Sequence, residues 1–237
     1  MRWIVGSGPA GRQIVDDPKR RGGGAKRPHN LRDLKILLLV NSSASSVTAR
    51  ARVVIQKAMS ADHEVEMAET TRRGHATRLA MGAAAAGVDV VTVLGGDGTL
   101  NEAANGLAGT DTALAPLPGG STNVFASQLG LPDDPTEATG VLLDALERGN
   151  IRPVGLGSIN GRYYLFHVGV GYDAAVVEQV EKRAGLKRYA GHALFAWAAI
   201  DTWFRHFDRT RPHFSVHFAD GSVVDDGYLA IFLNTNP

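Results

Sequence analysis

Apolar and polar positions divide this chain into two textures. From Ile36 to Val40 five consecutive apolar residues run into Asn41-Ser42-Ser43, the pattern of a strand buried on both faces that ends in a polar turn. Residues 47–60 read as a helix, with Arg50, Arg52, Gln56 and Lys57 interleaved among apolar positions. A short strand around Val65 and Met67 follows, then an alanine-rich helix over 74–86 and an apolar strand over 88–94. A helix over 99–108 and a short strand at 113–115 come next. Over 135–147 Ala138, Val141, Leu142 and Ala145 form a helical stripe, with Asp134 as N-cap, Pro135 in the first turn and Gly149 near the end. Strands alternating with helices predict an α/β domain, a mostly parallel sheet flanked by helices. Ligands on such sheets gather beyond the carboxyl ends of the strands.

From Ile151 the texture turns strand-rich. Residues 151–171 read as a hairpin bent around Asn160-Gly161. Phe214, Val216 and Phe218 alternate with polar residues before the turn Asp220-Gly221, and Tyr228–Leu233 forms another strand. The predicted organisation is therefore a leader over 1–33, an α/β domain over 34–150 and a β-rich domain over 151–237. That last domain is expected to be truncated, because an apolar strand so close to the end needs partners on both sides.

Charge changes the picture at one end. Residues 1–35 hold nine Lys or Arg and three Asp or Glu, a net of +6, whereas the remainder carries a net of −5. This Gly/Pro-containing leader is expected to be flexible; it is either dispensable or able to touch polyanions electrostatically. Nucleic acid is not expected as a partner, since no recognition motif accompanies the basic residues. With no cysteine, thiolate catalysis and thiolate metal sites are excluded. His167, His192 and His206 lack metal-ligand spacing. No apolar run approaches the ~18 residues of a membrane span, and the first residues do not read as a secretory signal, so a cytoplasmic location is expected.

The candidate chemistry lies in two glycine turns. Leu94-Gly95-Gly96-Asp97-Gly98-Thr99-Leu100-Asn101-Glu102 follows a strand, and its glycines let the backbone approach a ligand and expose N–H groups. Thr99 is expected to open the next helix, whose N-terminus favours an anion such as phosphate. Asp97 repels phosphate, so a divalent cation or an ordered water is its expected partner, and magnesium selects such hard oxygen ligands. Glu102 either completes a capping box with Thr99 or tunes the phosphate site. The spacing is neither a dinucleotide fingerprint nor a P-loop. The second turn lies in Pro116–Ala126, where Ser121 and Thr122 supply hydroxyls. The Asn123 amide is suited to reading an adenine edge, to holding the turn or to capping a helix.

The stretches GGDGTLNEAANGL (95–107) and PLPGGSTNVFASQLGLP (116–132) resemble the catalytic domain shared by bacterial diacylglycerol kinases, sphingosine kinases and related lipid kinases. VNSSAS (40–45) resembles that family's opening V-N-P-x-[SA]-G turn, with Ser42 in place of proline and Ser45 in place of glycine. Residues 69–76 resemble its T-x-x-x-G-[HD]-A segment. The resemblance covers about residues 34–237. It implies ATP-dependent phosphorylation of a lipid hydroxyl, with Mg2+, in a cleft between two domains. Asn41 and Thr70 are implied as nucleotide contacts, and Gly95, Gly96, Gly98 and Thr99 as the phosphate-binding turn. Asp97 is implied as the residue that organises metal and phosphate, and Thr122 and Asn123 as a second hold on the nucleotide. The family's catalytic base comes from a later acidic loop, expected beyond Pro237, so no base is assigned here; Asp225 and Asp226 precede the last strand and are not promoted to that role.

Diacylglycerol or a related lipid is the implied acceptor. The alternatives are an NAD kinase or phosphofructokinase-like enzyme with a soluble acceptor, and a non-catalytic nucleotide- or lipid-binding regulator. A lipid substrate at a membrane surface and a second copy in a homodimer are the expected partners, with the protein peripheral at the inner membrane face. Residues 189–207 carry a helical stripe at Leu194, Trp197, Ile200, Phe204 and Phe207, flanked by Phe195 and Trp203. This stripe is expected to pack against the second domain's sheet; the alternatives are a wall of the lipid cleft and a surface that meets the bilayer, with Lys182, Arg183, Lys187 and Arg188 just before it.

Overall fold

In the computed structural model, which describes residues 1–4, 33–182 and 196–234, the first apolar run divides by parity between two faces of a sheet. Ile36, Leu38 and Val40 of β2 (Lys35–Val40) face α1 (Ala49–Met59) and α5 (Pro135–Glu147). Leu37 and Leu39 face α2 (His75–Ala85) and α3 (Asp97–Leu107). In β4 (Val90–Gly95), Val90 and Leu94 join the first cluster, and Val91 and Val93 the second. Helices on both faces explain why these strands are continuously apolar rather than alternating.

The sheet has six strands in the order β3-β2-β4-β5-β1-β6, where β3 is Glu64–Glu69, β5 Ala113–Pro118, β1 Arg2–Ile4 and β6 Ile151–Pro153. All neighbours pair in parallel except β1 and β6. Local signals set the helix starts. Thr48 caps α1 through the Ala51 N–H (3.1 Å), and Asp134 caps α5 through the N–H groups of Thr136 (2.8 Å) and Glu137 (3.0 Å).

β5 runs to Pro118, past the short strand expected at 113–115. Ala113 and Gly119 donate to the Asp89 and Gly95 carbonyls, so odd-numbered residues of β5 bond toward β4. The missing N–H groups of Pro116 and Pro118 therefore fall on the opposite edge, where β1 pairs only as far as Leu114. A strand tolerates proline on such an unpaired edge.

Two boundaries differ from expectation. Arg2–Ile4 is a strand of the sheet with Ile4 buried, not part of a flexible leader. Three extended residues fill the gap between β5 and the antiparallel β6, and backbone pairing on both sides holds them there. Residues 5–32, the rest of the expected leader, lie outside the described residues. The compact units divide at Phe166/His167 rather than near residue 151, with the chain returning to the first unit at Asn234. Val154 and Leu165 are buried in the α2–α3 core, which ties 151–166 to the first unit. The Asn234 amide donates to the carbonyls of Gly155 (3.1 Å) and Leu165 (2.9 Å). Within this segment β7 (Gly157–Ile159) and β8 (Arg162–Tyr164) form the expected hairpin, with Asn160 (φ 49°) and Gly161 (φ 75°) both left-handed as the tight turn requires.

In the second unit β9 (His167–Gly171) pairs antiparallel with β12 (Leu229–Leu233), and β10 (Phe214–His217) with β11 (Val223–Gly227). Helix α6 (Tyr172–Lys182) follows β9, and a helical run over 196–201 widens into a π-helical segment, Thr202–His206. The aromatic stripe does not pack inward as a whole. Ala198 and Phe207 are buried, whereas Trp197, Ile200, Trp203 and Phe204 are exposed. The wider π turn shifts the register of the last residues, so Phe207 turns in against Tyr172 while Phe204 looks out. Leu194 and Phe195 lie outside the described residues.

Candidate functional site

Register along the parallel sheet brings the nominated residues to one edge. Val40 lies level with Glu69 and Leu94, and Gly95 with Pro118. Asn41, Thr70, Gly95–Thr99 and Gly119–Asn123 therefore leave the sheet together at its carboxyl end, where ligands of such sheets are held.

The two glycine turns are locked backbone to backbone. Gly119 donates its N–H to the Gly95 carbonyl at 3.0 Å. A Cβ on Gly120 would lie 2.7 Å from the Gly96 Cα, and one on Gly119 would lie 2.9 Å from the Gly95 nitrogen. A Cβ on Gly95 would press on Thr99 and Asn41 at 3.2 and 3.3 Å. Close approach of the Gly96 main chain accounts for Gly120, that of Gly95 together with the Val47 side chain for Gly119, and the side chains of Thr99 and Asn41 for Gly95. Gly98 is different: a Cβ there would meet nothing within 4 Å, so packing does not require a glycine. Its bareness keeps open the approach to the start of α3, where Leu100 makes the first intrahelical bond, to Gly96. The N–H groups of Asp97, Gly98 and Thr99 precede that bond and remain available to an anion.

Side chains brace the turns. Asn41 donates from Nδ2 to Thr99 Oγ1 (2.9 Å) and accepts the Ser43 N–H on Oδ1 (3.1 Å). Asn123, left-handed at φ 46°, accepts the Gly120 N–H (2.8 Å) and donates to the Gly120 carbonyl (2.9 Å). Of its three suggested roles, Asn123 is built into holding the turn; it makes no side-chain cap on α4 (Val124–Gln128). Thr70 reaches the same edge through its backbone bond to the Val40 carbonyl (2.8 Å).

Asp97 spans the two turns. Its Oδ2 accepts from Thr122 Oγ1 (3.2 Å) and the Val124 N–H (3.1 Å), and its Oδ1 accepts the Phe125 N–H (3.2 Å). It is the first residue of α3 and, at the same time, the acceptor for the opening N–H groups of α4. The expectation of Asp97 as a metal ligand does not fit this arrangement. Three of the roughly four lone-pair positions of a carboxylate already receive donors. The capping box for Glu102 is also absent. α3 begins at Asp97 with Gly96 as N-cap, which puts Thr99 inside the first turn and Glu102 past it.

Two contributors were not singled out from sequence. Ser46 donates its N–H to the Gly119 carbonyl (3.0 Å), closing the 41–48 loop over the second turn. Asn105 on α3 accepts the Tyr163 N–H and donates to the Tyr163 carbonyl, both at 2.9 Å, imitating a strand neighbour for β8, and Asn101 adds a bond to that carbonyl (3.3 Å). Two asparagines four residues apart on one face of a helix are the signal that marks this contact.

Beneath the turns is a small recess of about 10 Å³ lined by Gly96, Asp97, Leu100, Pro116, Pro118 and Asn123. That is room for about one water molecule, far below the ~300–1,000 Å³ of whole small-molecule sites, so a ligand would lie on the open edge rather than in the recess. The edge combines bare helix N–H groups, the Thr99 hydroxyl and polar turns, which are the means to bind a phosphoryl group.

Residues 35–159 match the sequence profile of the family described as diacylglycerol kinase catalytic domain. The chain is 40% identical over 121 residues to a diacylglycerol kinase of Bacillus subtilis, covering 50% of this chain and 39% of that one. It is 33% identical over 222 residues to a Chromohalobacter salexigens protein named "Probable lipid kinase YegS-like", covering 82% of this chain and 70% of that one. Among solved structures, a diacylglycerol kinase from Bacillus anthracis str. Sterne superposes with a TM-score of 0.61 at 27% identity, over 84% of this chain and 66% of that one. The chain thus spans from 39% to 70% of the length of these relatives.

Proposed function

The chain belongs to the diacylglycerol kinase catalytic-domain family, and from that premise we propose that it binds ATP and serves transfer of the γ-phosphate to the hydroxyl of diacylglycerol or a related lipid at a membrane surface. The observation that carries this reading is the pair of glycine turns locked together at the carboxyl edge, with the start of α3 left bare at Gly98. Phosphate oxygens are received by the N–H groups at the start of α3 and by the Thr99 hydroxyl, one of whose lone pairs is already engaged by Asn41. Preorganised donors of this kind stabilise charge on a phosphoryl group without reorganising during reaction. Asn41, Asp97, Thr122 and Asn123 act by positioning, since each is tied to a turn. Thr70 borders the nucleotide from the end of β3. Magnesium enters in this reading with the nucleotide, as MgATP, rather than on a site made by the protein.

The test is transfer of label from γ-labelled ATP to detergent micelles of diacylglycerol, monoacylglycerol or sphingosine, beside NAD and fructose 6-phosphate as soluble acceptors. Labelled lipid supports the proposal. Label on a soluble acceptor alone overturns the acceptor class, and ATP binding without any transfer reduces the chain to a nucleotide-binding role.

A further inference from the structure

The second unit presents an aromatic surface with no counterpart in the nucleotide site. At the end of the 196–206 helical run, Ile200 is 62% and Phe204 67% exposed, and Trp203 is 41% exposed. Large apolar side chains grouped at this exposure suit an interaction surface. The group is firmly backed. Trp203 meets Tyr172 edge-on at 5.4 Å and stacks on Phe207 at 6.4 Å, and Phe207 is buried against Tyr172 and His213 at 5.3 and 4.3 Å. The outer face therefore rests on an aromatic platform.

Its rim is cationic. The Arg209 guanidinium lies 5.5 Å from the Trp203 ring centre and 5.6 Å from that of Phe204, placed over both rings. Arg205, with its side chain 76% exposed, bonds to Asp201, whose own side chain is only 7% exposed. Arg211 pairs with Asp208. Arg209 thus lies on the rings, and Arg205 and Arg211, close to it in sequence, are largely exposed, with the outward carboxylate of Asp208 beside Arg211. A guanidinium held on an aromatic face keeps its charge beside apolar surface while its N–H edges stay free for an anionic oxygen.

We propose that Ile200, Trp203 and Phe204, rimmed by Arg205, Arg209 and Arg211, form a docking patch for an anionic phospholipid bilayer, with the rings among the headgroups and the arginines on phosphates. Aromatic rings suit this depth because they are amphipathic, and cations next to them gain from the negative surface potential. The patch lies on the membrane rather than across it, as no helix among the described residues is long and apolar enough to span a bilayer. The inference rests on the lipid-acceptor reading above and adds to it the surface by which the chain reaches its acceptor.

Flotation of the full chain with phosphatidylcholine vesicles, with and without phosphatidylglycerol, tests the patch. Wild type is expected to float with the anionic vesicles. The double variant Ile200→Ser/Phe204→Ser and the single variant Arg209→Gln should each weaken this, the double by roughly tenfold or more, from the apolar surface withdrawn. Val53→Ser, an exposed apolar position in the first unit, should leave flotation unchanged. Near-UV circular dichroism and ATP binding should be the same in all. Wild type that ignores anionic vesicles overturns the proposal, as does a double variant that floats like wild type. A double variant altered only in self-association also overturns it, making the patch an interface between copies. Patch-dependent flotation together with no transfer to any lipid leaves the patch standing and overturns lipid phosphorylation by this chain instead.

Discussion

Replacing Asp97 with alanine removes at one stroke the acceptor for Thr122 Oγ1, the Val124 N–H and the Phe125 N–H. α4 spans only five residues and has no side-chain cap of its own, so its start depends on this carboxylate from another helix. Hydrogen bonds to a charged group contribute about 1.5–3 kcal/mol each, and loss of a helix cap costs about 0.5–2 kcal/mol. Asp97 is half-exposed, so water can replace part of what is lost. The total loss is therefore put at about 2–3 kcal/mol, below the sum of the separate bonds. At this chain length that corresponds to a fall of roughly 5–10 °C in the unfolding midpoint. Asp97→Asn keeps one acceptor oxygen but turns an amide toward a donor, and should lose about half as much.

The informative assay is urea and thermal unfolding of nucleotide-free protein in EDTA, followed by ATP binding with and without Mg2+. A positioning residue lowers stability with no metal present and weakens ATP by a similar factor in both conditions. If Asp97→Asn is as stable as wild type in EDTA and loses only the Mg2+-dependent part of ATP binding, the clasp reading is wrong and Asp97 is a metal ligand.

Gly98→Ala should stabilise the chain by about 0.4–1 kcal/mol, because its Cβ meets nothing and the unfolded chain loses freedom; ATP affinity, read by calorimetry, should nevertheless fall. Gly120→Ala should lower both stability and ATP affinity, since its methyl would lie 2.7 Å from the Gly96 Cα and overpacking of this kind costs about 1–3 kcal/mol. Asn105→Ala should cost about 1–2 kcal/mol and speed hydrogen exchange at the Tyr163 amide, which loses its acceptor. In the second unit, Asp208 and Asp220 are held below the usual carboxylate range by hydrogen bonds from Thr210 and Ser222. A carboxylate with a lowered folded pKa contributes stability above its unfolded pKa and loses it as pH falls through the folded one. Acid titration followed by near-UV circular dichroism should accordingly show weakening only on the acid side; a gain in stability there would refute the assignment.

Much of the first unit is legible along the chain because its signals are local. Asp134-Pro135 states where α5 begins, and the structure starts the helix at Pro135. Asn160-Gly161 specifies the only tight turn that joins β7 to β8 at that spacing, since both residues must be left-handed. The apolar run 36–40 announces a strand covered on both sides, and each side is found to be a helix layer. The nominated site residues likewise gather at one sheet edge, because each follows the carboxyl end of a parallel strand.

What stayed illegible depends on partners far away in sequence. Asp97 looks like a free acid between glycines, and its acceptors' partners lie 25–28 residues on. The strand Arg2–Ile4 is too short to show a period, and it pairs with Ala113–Leu114 on one side and Ile151–Pro153 on the other. That Phe207 turns in while Ile200 and Phe204 stay exposed follows from a π turn that the stripe, read at ordinary helical spacing, conceals. By itself, then, the sequence determined element type, layer and the edge on which the chemistry lies, because propensity, capping and apolar period act over a few residues. Only the tertiary structure decided which glycine is bare and which is pressed against another backbone, and whether a carboxylate is offered to a ligand or spent on a neighbouring turn. Those outcomes are set by contacts of a few ångströms between segments that meet only once the sheet has formed.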